Sequence, residues 1–205
     1  MIDETAEEIA DMQTHSSSVV AVKAARALRE LTDKEFPTVE EYRRTLERNS
    51  SALRRANPSH ASLHNTQREI VAAVDAADAD AVEAAQQATV DAIDDVVDRI
   101  ETAKRRAAEA AAPLLAEADT LLVHDYSTTV LSAITQSVED GADFSVYVTE
   151  ARPRYLGRKM ARRLAELEGV ETTLVVDSAH GHYLPECDRV VVGMDCIVED
   201  TLYNR

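Results

Sequence analysis

Lysine is scarce in this sequence. Only Lys23, Lys34, Lys104 and Lys159 occur, and the remaining basic residues are arginines. Cysteine is scarcer, with Cys187 and Cys196 alone. Two thiols and no export signal read as free cysteines and not as a disulfide framework, and neither their spacing nor their neighbours offer a zinc site. No apolar run approaches the roughly 18 residues of a membrane-spanning helix, which argues against a membrane partner. Met1–Met12 reads as an acidic helix and not as a basic segment leading into an apolar one, so a secretory signal is not expected and a cytoplasmic location is.

Acid is what the chain has in abundance. Asp and Glu number 38 against 22 Lys and Arg, a net charge of −16 over 205 residues. Such a surface repels phosphate backbones, which sets direct nucleic-acid binding aside. An Asp/Glu-rich, Lys-poor surface also suits very high salt, where screening relieves self-repulsion, so a halophilic, salt-rich cytoplasm is expected. Apolar residues make up 45% of the chain, enough for a packed core. The length allows one large domain or two small ones.

The chain changes texture near residue 118. Before it, five helical stretches are expected. Ile2–Gln13 is short and acidic. Ser16-Ser17-Ser18 caps Val19–Leu31. Thr38 and Glu41 have the capping-box spacing and open a helix to about Ala56. Asn57-Pro58-Ser59 breaks it before a helix over about 60–76. Asp78 or Asp80 then caps a long helix, roughly 81–115, with Val90, Ile93, Val97 and Ile100 on one face; ~35 residues span about 50 Å. After it, Thr120–His124, Phe144–Thr149, Glu171–Val176 and Arg189–Gly193 are near-continuous apolar runs, as strands buried on both faces are. Helices over about 128–139 and 155–168, closed by Gly141 and Gly169, separate the first three. This alternation predicts an α/β fold: a helical domain over 1–117 that includes the long linking helix, then a Rossmann-like parallel sheet over 118–205.

In an open parallel sheet, ligands bind beyond the carboxyl ends of the strands. There the sequence places Asp125, Tyr126 and Ser127, then Glu150, Arg152 and Arg154, then Asp177, then Asp195. All four strand ends carry a carboxylate, and the second adds two arginines, which take phosphate bidentately. The first turn, His124 to Thr128, has no Gly-x-Gly-x-x-Gly or Walker pattern, so a dinucleotide cofactor is not expected. A sugar phosphate or mononucleotide fits better, with no cofactor and no metal.

The runs Thr149-Glu150-Ala151-Arg152-Pro153-Arg154, Val176-Asp177-Ser178-Ala179 and Val192-Gly193-Met194-Asp195-Cys196-Ile197, closing on Asn204-Arg205, occur in an order that resembles the regulatory subunits (alpha, beta, delta) of translation initiation factor 2B and their archaeal relatives. That superfamily also contains ribose-1,5-bisphosphate isomerase and methylthioribose-1-phosphate isomerase. The resemblance implies a helical N-terminal domain, a Rossmann-like C-terminal domain and homo-oligomers or assemblies with related subunits. A translation factor is a further partner it suggests. In the isomerases it implies a catalytic Cys after the first strand and a catalytic Asp in the Gly-Ala-Asp motif. The Asp matches Asp195. The Cys position holds Asp125, in His124-Asp125-Tyr126-Ser127, and an N-terminal Arg-Gly-Ala phosphate motif is not matched.

A carboxylate does not replace a thiolate without a change of mechanism, so these departures weigh against isomerase activity. The expected function is therefore that of an initiation factor 2B-like subunit binding a phosphorylated small molecule. Arg152 and Arg154 would hold phosphate, Asp195 and Asp177 would meet hydroxyl groups, and Tyr126 and Ser127 would close the site, with Glu150, Asn204 and Arg205 nearby. The alternative is an aldose–ketose isomerase using Asp195 and Asp125; a third is an inactive paralogue that tunes a sister subunit. Family members continue past the Asn-Lys motif that Asn204-Arg205 replaces, so the sheet domain is expected to be C-terminally incomplete or completed by a partner. His60 and His64 are four apart on a helix, but no third ligand stands at matching spacing, so a metal pair is not expected. His180 and His182 fall in a loop beside the strand ends.

Overall fold

The structure, a computed structural model, describes residues 2–12 and 15–204. The chain divides into two compact units, 1–102 and 103–205. The first holds α1 (Ile2–Asp11), α2 (Ser17–Leu28) with a 3-10 turn at Arg29–Leu31, α3 (Val39–Ala56), α4 (Ala61–Ala76) and most of α5 (Val82–Leu115). The expected boundary at 117 lies at the end of α5. The observed one falls inside it, because Ala108 and Leu115 belong to the second unit's core. Among the described residues, no helix is long and apolar enough to cross a membrane.

The helices start where side chains can satisfy orphan amides. Ser16 Oγ accepts from Val19 N at 3.4 Å and Thr38 Oγ1 from Glu41 N at 3.2 Å. Neither Asp78 nor Asp80 caps α5: the helix begins at Val82, and the Ala81 carbonyl takes the first bond, from Ala85 N at 3.1 Å. Asn57 ends α3, and its buried Nδ2 donates to the Ile9 carbonyl at 3.2 Å, tying α1 to the α3–α4 corner. The core is built on Ile9, Leu28, Tyr42, Leu53, Leu63, Ile70, Val74 and Ile93, all fully buried. Each such side chain contributes about 1.5–3 kcal/mol. Its buried hydroxyls are paired: Tyr42 donates to Thr89 Oγ1 at 2.6 Å, and Thr89 to the Ala85 carbonyl at 2.8 Å.

The second unit holds β1 (Thr120–His124), α6 (Thr128–Glu139), β2 (Phe144–Thr149), α7 (Leu156–Leu164), β3 (Val170–Val175), the single turn α8 (His180–Tyr183), β4 (Arg189–Val192) and an antiparallel hairpin, β5 (Cys196–Val198) with β6 (Thr201–Tyr203). Strands β1–β4 are all parallel, in the order β3-β2-β1-β4. Their carboxyl ends are level, since His124 stands opposite both Thr149 and Val192, and Thr149 opposite Val175. Val146 and Val148 enter the core with Ile134, Met160 and Leu164 of α6 and α7. Tyr147, alternating to the other face, stacks on Tyr183 of α8 at 4.5 Å.

Burial on both faces holds for β1, where Leu121, Leu122 and Val123 are buried, but not for the outer strands. Leu174, Val190 and Val192 are about half exposed, because β3 and β4 each have a single neighbour. Helix α7 is shorter than expected at both ends. Tyr155 takes a left-handed conformation (φ +57°) that starts it at Leu156, and a turn from Leu164 to Leu167 ends it.

Candidate ligand site at the carboxyl edge of the sheet

From β1 the chain crosses to β2 and then β3 in one direction. It returns to place β4 on the other side of β1. Between β1 and β4 the connections part, and a doubly wound sheet opens a crevice at that point. Asp125, Tyr126 and Ser127 leave β1 there; Gly193, Met194 and Asp195 leave β4. The two exits are in tight contact: a Cβ on Gly193 would lie 2.6 Å from Ser127 Cβ. Ser127 caps α6, accepting from Val130 N at 3.3 Å, so α6 starts at the crevice with its amide dipoles toward it. Asp125 has φ +66°, a conformation rare for a side-chain-bearing residue and concentrated at functional sites. The Tyr126 ring lies under Lys159 Nζ, 4.3 Å from its centroid. Asp195 is half-buried, and its N–H donates to the Tyr203 carbonyl at 2.9 Å, so the β5–β6 hairpin holds it just beyond β4. Asn204 follows the hairpin and is exposed; Arg205 lies outside the described residues.

The turn after β2 is set by internal ion pairs. Glu150 is buried, with Arg158 Nη2 donating to Oε2 at 2.8 Å and Arg152 Nε 3.8 Å from Oε1. Asp177, at the end of β3, accepts from the amides of Ala151 and Arg152 at 2.8 and 2.7 Å. Burial works against its charge, but those two amides outweigh burial and hold the carboxyl below its usual range. Arg152 donates to the Tyr155 hydroxyl at 3.0 Å, and the Arg158 guanidinium lies over the Tyr155 ring at 4.0 Å. The Arg152–Pro153 peptide is cis, and Ala151 has φ +57°. Gly157 lets α7 rest on the end of β2: a Cβ there would fall 1.7 Å from the Thr149 carbonyl oxygen. Beneath the turn, His124 Nδ1 and Thr149 Oγ1 are hydrogen-bonded at 2.6 Å.

The residues singled out in the sequence thus sort into two groups. Asp125, Tyr126, Ser127 and Asp195 flank the crevice. Glu150 and Asp177 spend their carboxylates on the protein, fixing the Ala151–Arg154 turn that carries Arg152 and Arg154. The reading of strand ends missed Arg158 and Lys159, which lie in the first turn of α7; their signal was the basic run at the start of that helix. The opposite edge of the sheet is acidic. A groove of about 550 Å³ there is lined by Asp119, Asp143 and Glu171, among others. The carboxyl edge thus carries Arg152, Arg154, Arg158 and Lys159 beside its carboxylates, whereas the charged residues lining the amino-edge groove are all acidic. Among the described residues, no group of three His, Cys, Asp or Glu side chains is placed to hold a metal. Cys187 donates to the Tyr183 carbonyl at 3.3 Å, and Cys196 opens β5, so neither occupies the turn after β1.

Comparison with known proteins gives this geometry a context. Residues 13–205 match the Initiation factor 2 subunit family. A ribose 1,5-bisphosphate isomerase of Haloferax volcanii is 35% identical over 96% of this chain, and the match spans 60% of that relative's length. The crystal structure of a translation initiation factor eIF-2B from Pyrococcus horikoshii superposes with a TM-score of 0.81 at 27% identity, covering 96% of this chain and 66% of that one. That of 5-methylthioribose 1-phosphate isomerase from the same organism gives a TM-score of 0.80 at 20% identity, over 96% of this chain and 58% of the other, a likeness of fold alone.

Proposed function

The chain belongs to the Initiation factor 2 subunit family, and from that premise we propose that it binds a phosphorylated pentose of the ribose 1,5-bisphosphate kind at the carboxyl edge of its sheet and interconverts its aldose and ketose forms. The observation that carries this reading is the placement of Asp125 and Asp195 on the two sides of the switch point. The curated relatives named ribose 1,5-bisphosphate isomerase support it.

The chemistry asks for an acid and a base. In a pentose whose C1 oxygen carries phosphate, the ring oxygen takes a proton as the ring opens. A hydrogen passes with its electron pair from C2 to C1, and the C2 hydroxyl loses its proton to become the ketone. Asp195 would take that proton as carboxylate. Asp125 would act as the general acid that supplies the ring oxygen's proton. Arg152, Arg154 and Lys159 would bind phosphate, with Ser127 and the α6 amides.

Incubation with ribose 1,5-bisphosphate, followed by detection of the ketose, tests this. The expected result is turnover that falls about 10²–10⁴-fold in Asp195→Asn. A second reading is favoured by one observation: Asp125 stands where the isomerases are expected to carry their thiol. On that reading the chain is an initiation factor 2B-like subunit that binds the phosphorylated ligand without converting it. Saturable binding with no ketose formed selects it.

A further inference from the structure

Helix α3 carries a basic face in an otherwise acidic molecule. Arg44, Arg48, Ser51 and Arg55 recur at helical spacing, a stripe of about 16 Å at 1.5 Å per residue. With Arg43 they line an open groove of about 630 Å³ between α3 and α4, whose remaining walls are Val71, Glu47 and Asp75. The acids do not cancel the arginines. Glu47 is engaged by Arg54 at 2.8 Å, which leaves Asp75 as the groove's other carboxylate. Among the described residues, Arg44 and Arg48 have no hydrogen-bond or ion-pair partner, although like charges one turn apart destabilise a helix. Arg43 reaches the Ala79 carbonyl through Nη2 at 3.4 Å, while its Nε is buried without a partner. Arg55 holds Ser51 Oγ at 2.7 Å, orienting its guanidinium along the wall.

We propose that this groove is a binding site for a small polyphosphate-type anion, held by the forks of Arg43, Arg44, Arg48 and Arg55. Several guanidiniums spaced along one axis match an anion with more than one phosphoryl group better than a single carboxylate. The molecule's net charge of −16 sets a longer nucleic-acid strand at a disadvantage, because such a strand would run past the groove over acidic surface. The site lies wholly within the helical unit and does not depend on the function proposed for the sheet edge.

Calorimetric titration of the full chain with inorganic tripolyphosphate tests it. A saturable binding step that belongs to the groove is expected beside any binding at the sheet edge, weakening as salt is raised. The double variant Arg44→Gln, Arg48→Gln weakens it at least tenfold, whereas Arg152→Gln, altered at the sheet edge, retains it within twofold. Both replaced groove residues are exposed, and an unchanged thermal unfolding curve shows that the variant folds. Wild-type affinity in the double variant, no saturable binding, or displacement of tripolyphosphate by a single-stranded RNA oligonucleotide at equal phosphate concentration each overturn the proposal.

Discussion

The two units solve the same burial problem differently. The helical unit covers its own apolar residues: Val20, Leu28, Leu53, Leu63, Ile70 and Ile93 are all fully buried, and charged side chains such as Arg99 and Glu69 pair at its surface. The sheet unit buries its centre but leaves Val190, Val192, Met194, Ile197 and Leu202 about half exposed or more along β4 and the hairpin. The chain spans about three-fifths of the length of the curated relatives it matches. A four-stranded parallel sheet has two outer strands for every two inner ones, and its outer strands are less covered than its inner ones. The helical unit is therefore organised by its core. The carboxyl edge of the sheet is organised by ion pairs and backbone contacts, and the proposed site lies there.

The contrast can be broken most sharply at Gly157. Replacing it with Ala drives a methyl into the Thr149 carbonyl, a backbone atom that cannot turn aside, and should cost more than about 3 kcal/mol. Gly181→Ala meets open space and should change stability by less than about 0.5 kcal/mol. Chemical denaturation of the two variants checks both. Next, Ile93→Ala in the helical core should cost about 2–5 kcal/mol, while Val192→Thr on the exposed edge strand should stay within about 0.5 kcal/mol. Equal losses would mean that β4 is covered in solution.

Acid sharpens the comparison further. Burial, helped by Arg54 and Arg68, pushes the His64 imidazole below its ordinary pKa. The unfolded chain binds that proton more readily, so the helical unit keeps this contribution above about pH 6.5 and loses it as pH falls toward the folded value. Asp177 is also held low, by its two amide donors acting against burial. Its contribution to the sheet unit is complete above about pH 4 and is lost only as pH falls below that. Asp177→Ala should cost about 1–2 kcal/mol at pH 7, the smaller part of the range for charged hydrogen bonds because the carboxylate is partly solvated. Unfolding followed by probes in each unit from pH 7 to 3 should show the helical unit weakening first.

How legible these features were follows from what each depends on. Strands β1 and β2 were read to the residue, because near-continuous apolar runs there end in polar turns. So was α6, closed by Gly141. The α3 cap was equally plain in the spacing of Thr38 and Glu41. The β5–β6 hairpin was not foreseen: its turn is Glu199-Asp200, with Glu199 at φ +53° and no Asn-Gly signal. The strand-end residues were legible because topology sends them all to one edge. Their roles were less so. That Asp177 serves the amides of Ala151 and Arg152 is a contact across about 25 residues, invisible to local pattern. Arg158 was missed for the complementary reason, since its partner Glu150 sits at the strand end while it sits on the next helix.

The central claim is that a phosphorylated pentose binds at the switch-point edge. Amide chemical-shift mapping during titration with ribose 1,5-bisphosphate tests it directly. Saturable shifts are expected at Asp125–Thr128, Ala151–Lys159 and Gly193–Asp195. Shifts confined to the opposite edge, at Asp119, Asp143 and Gly169, or none at saturating ligand, would contradict it.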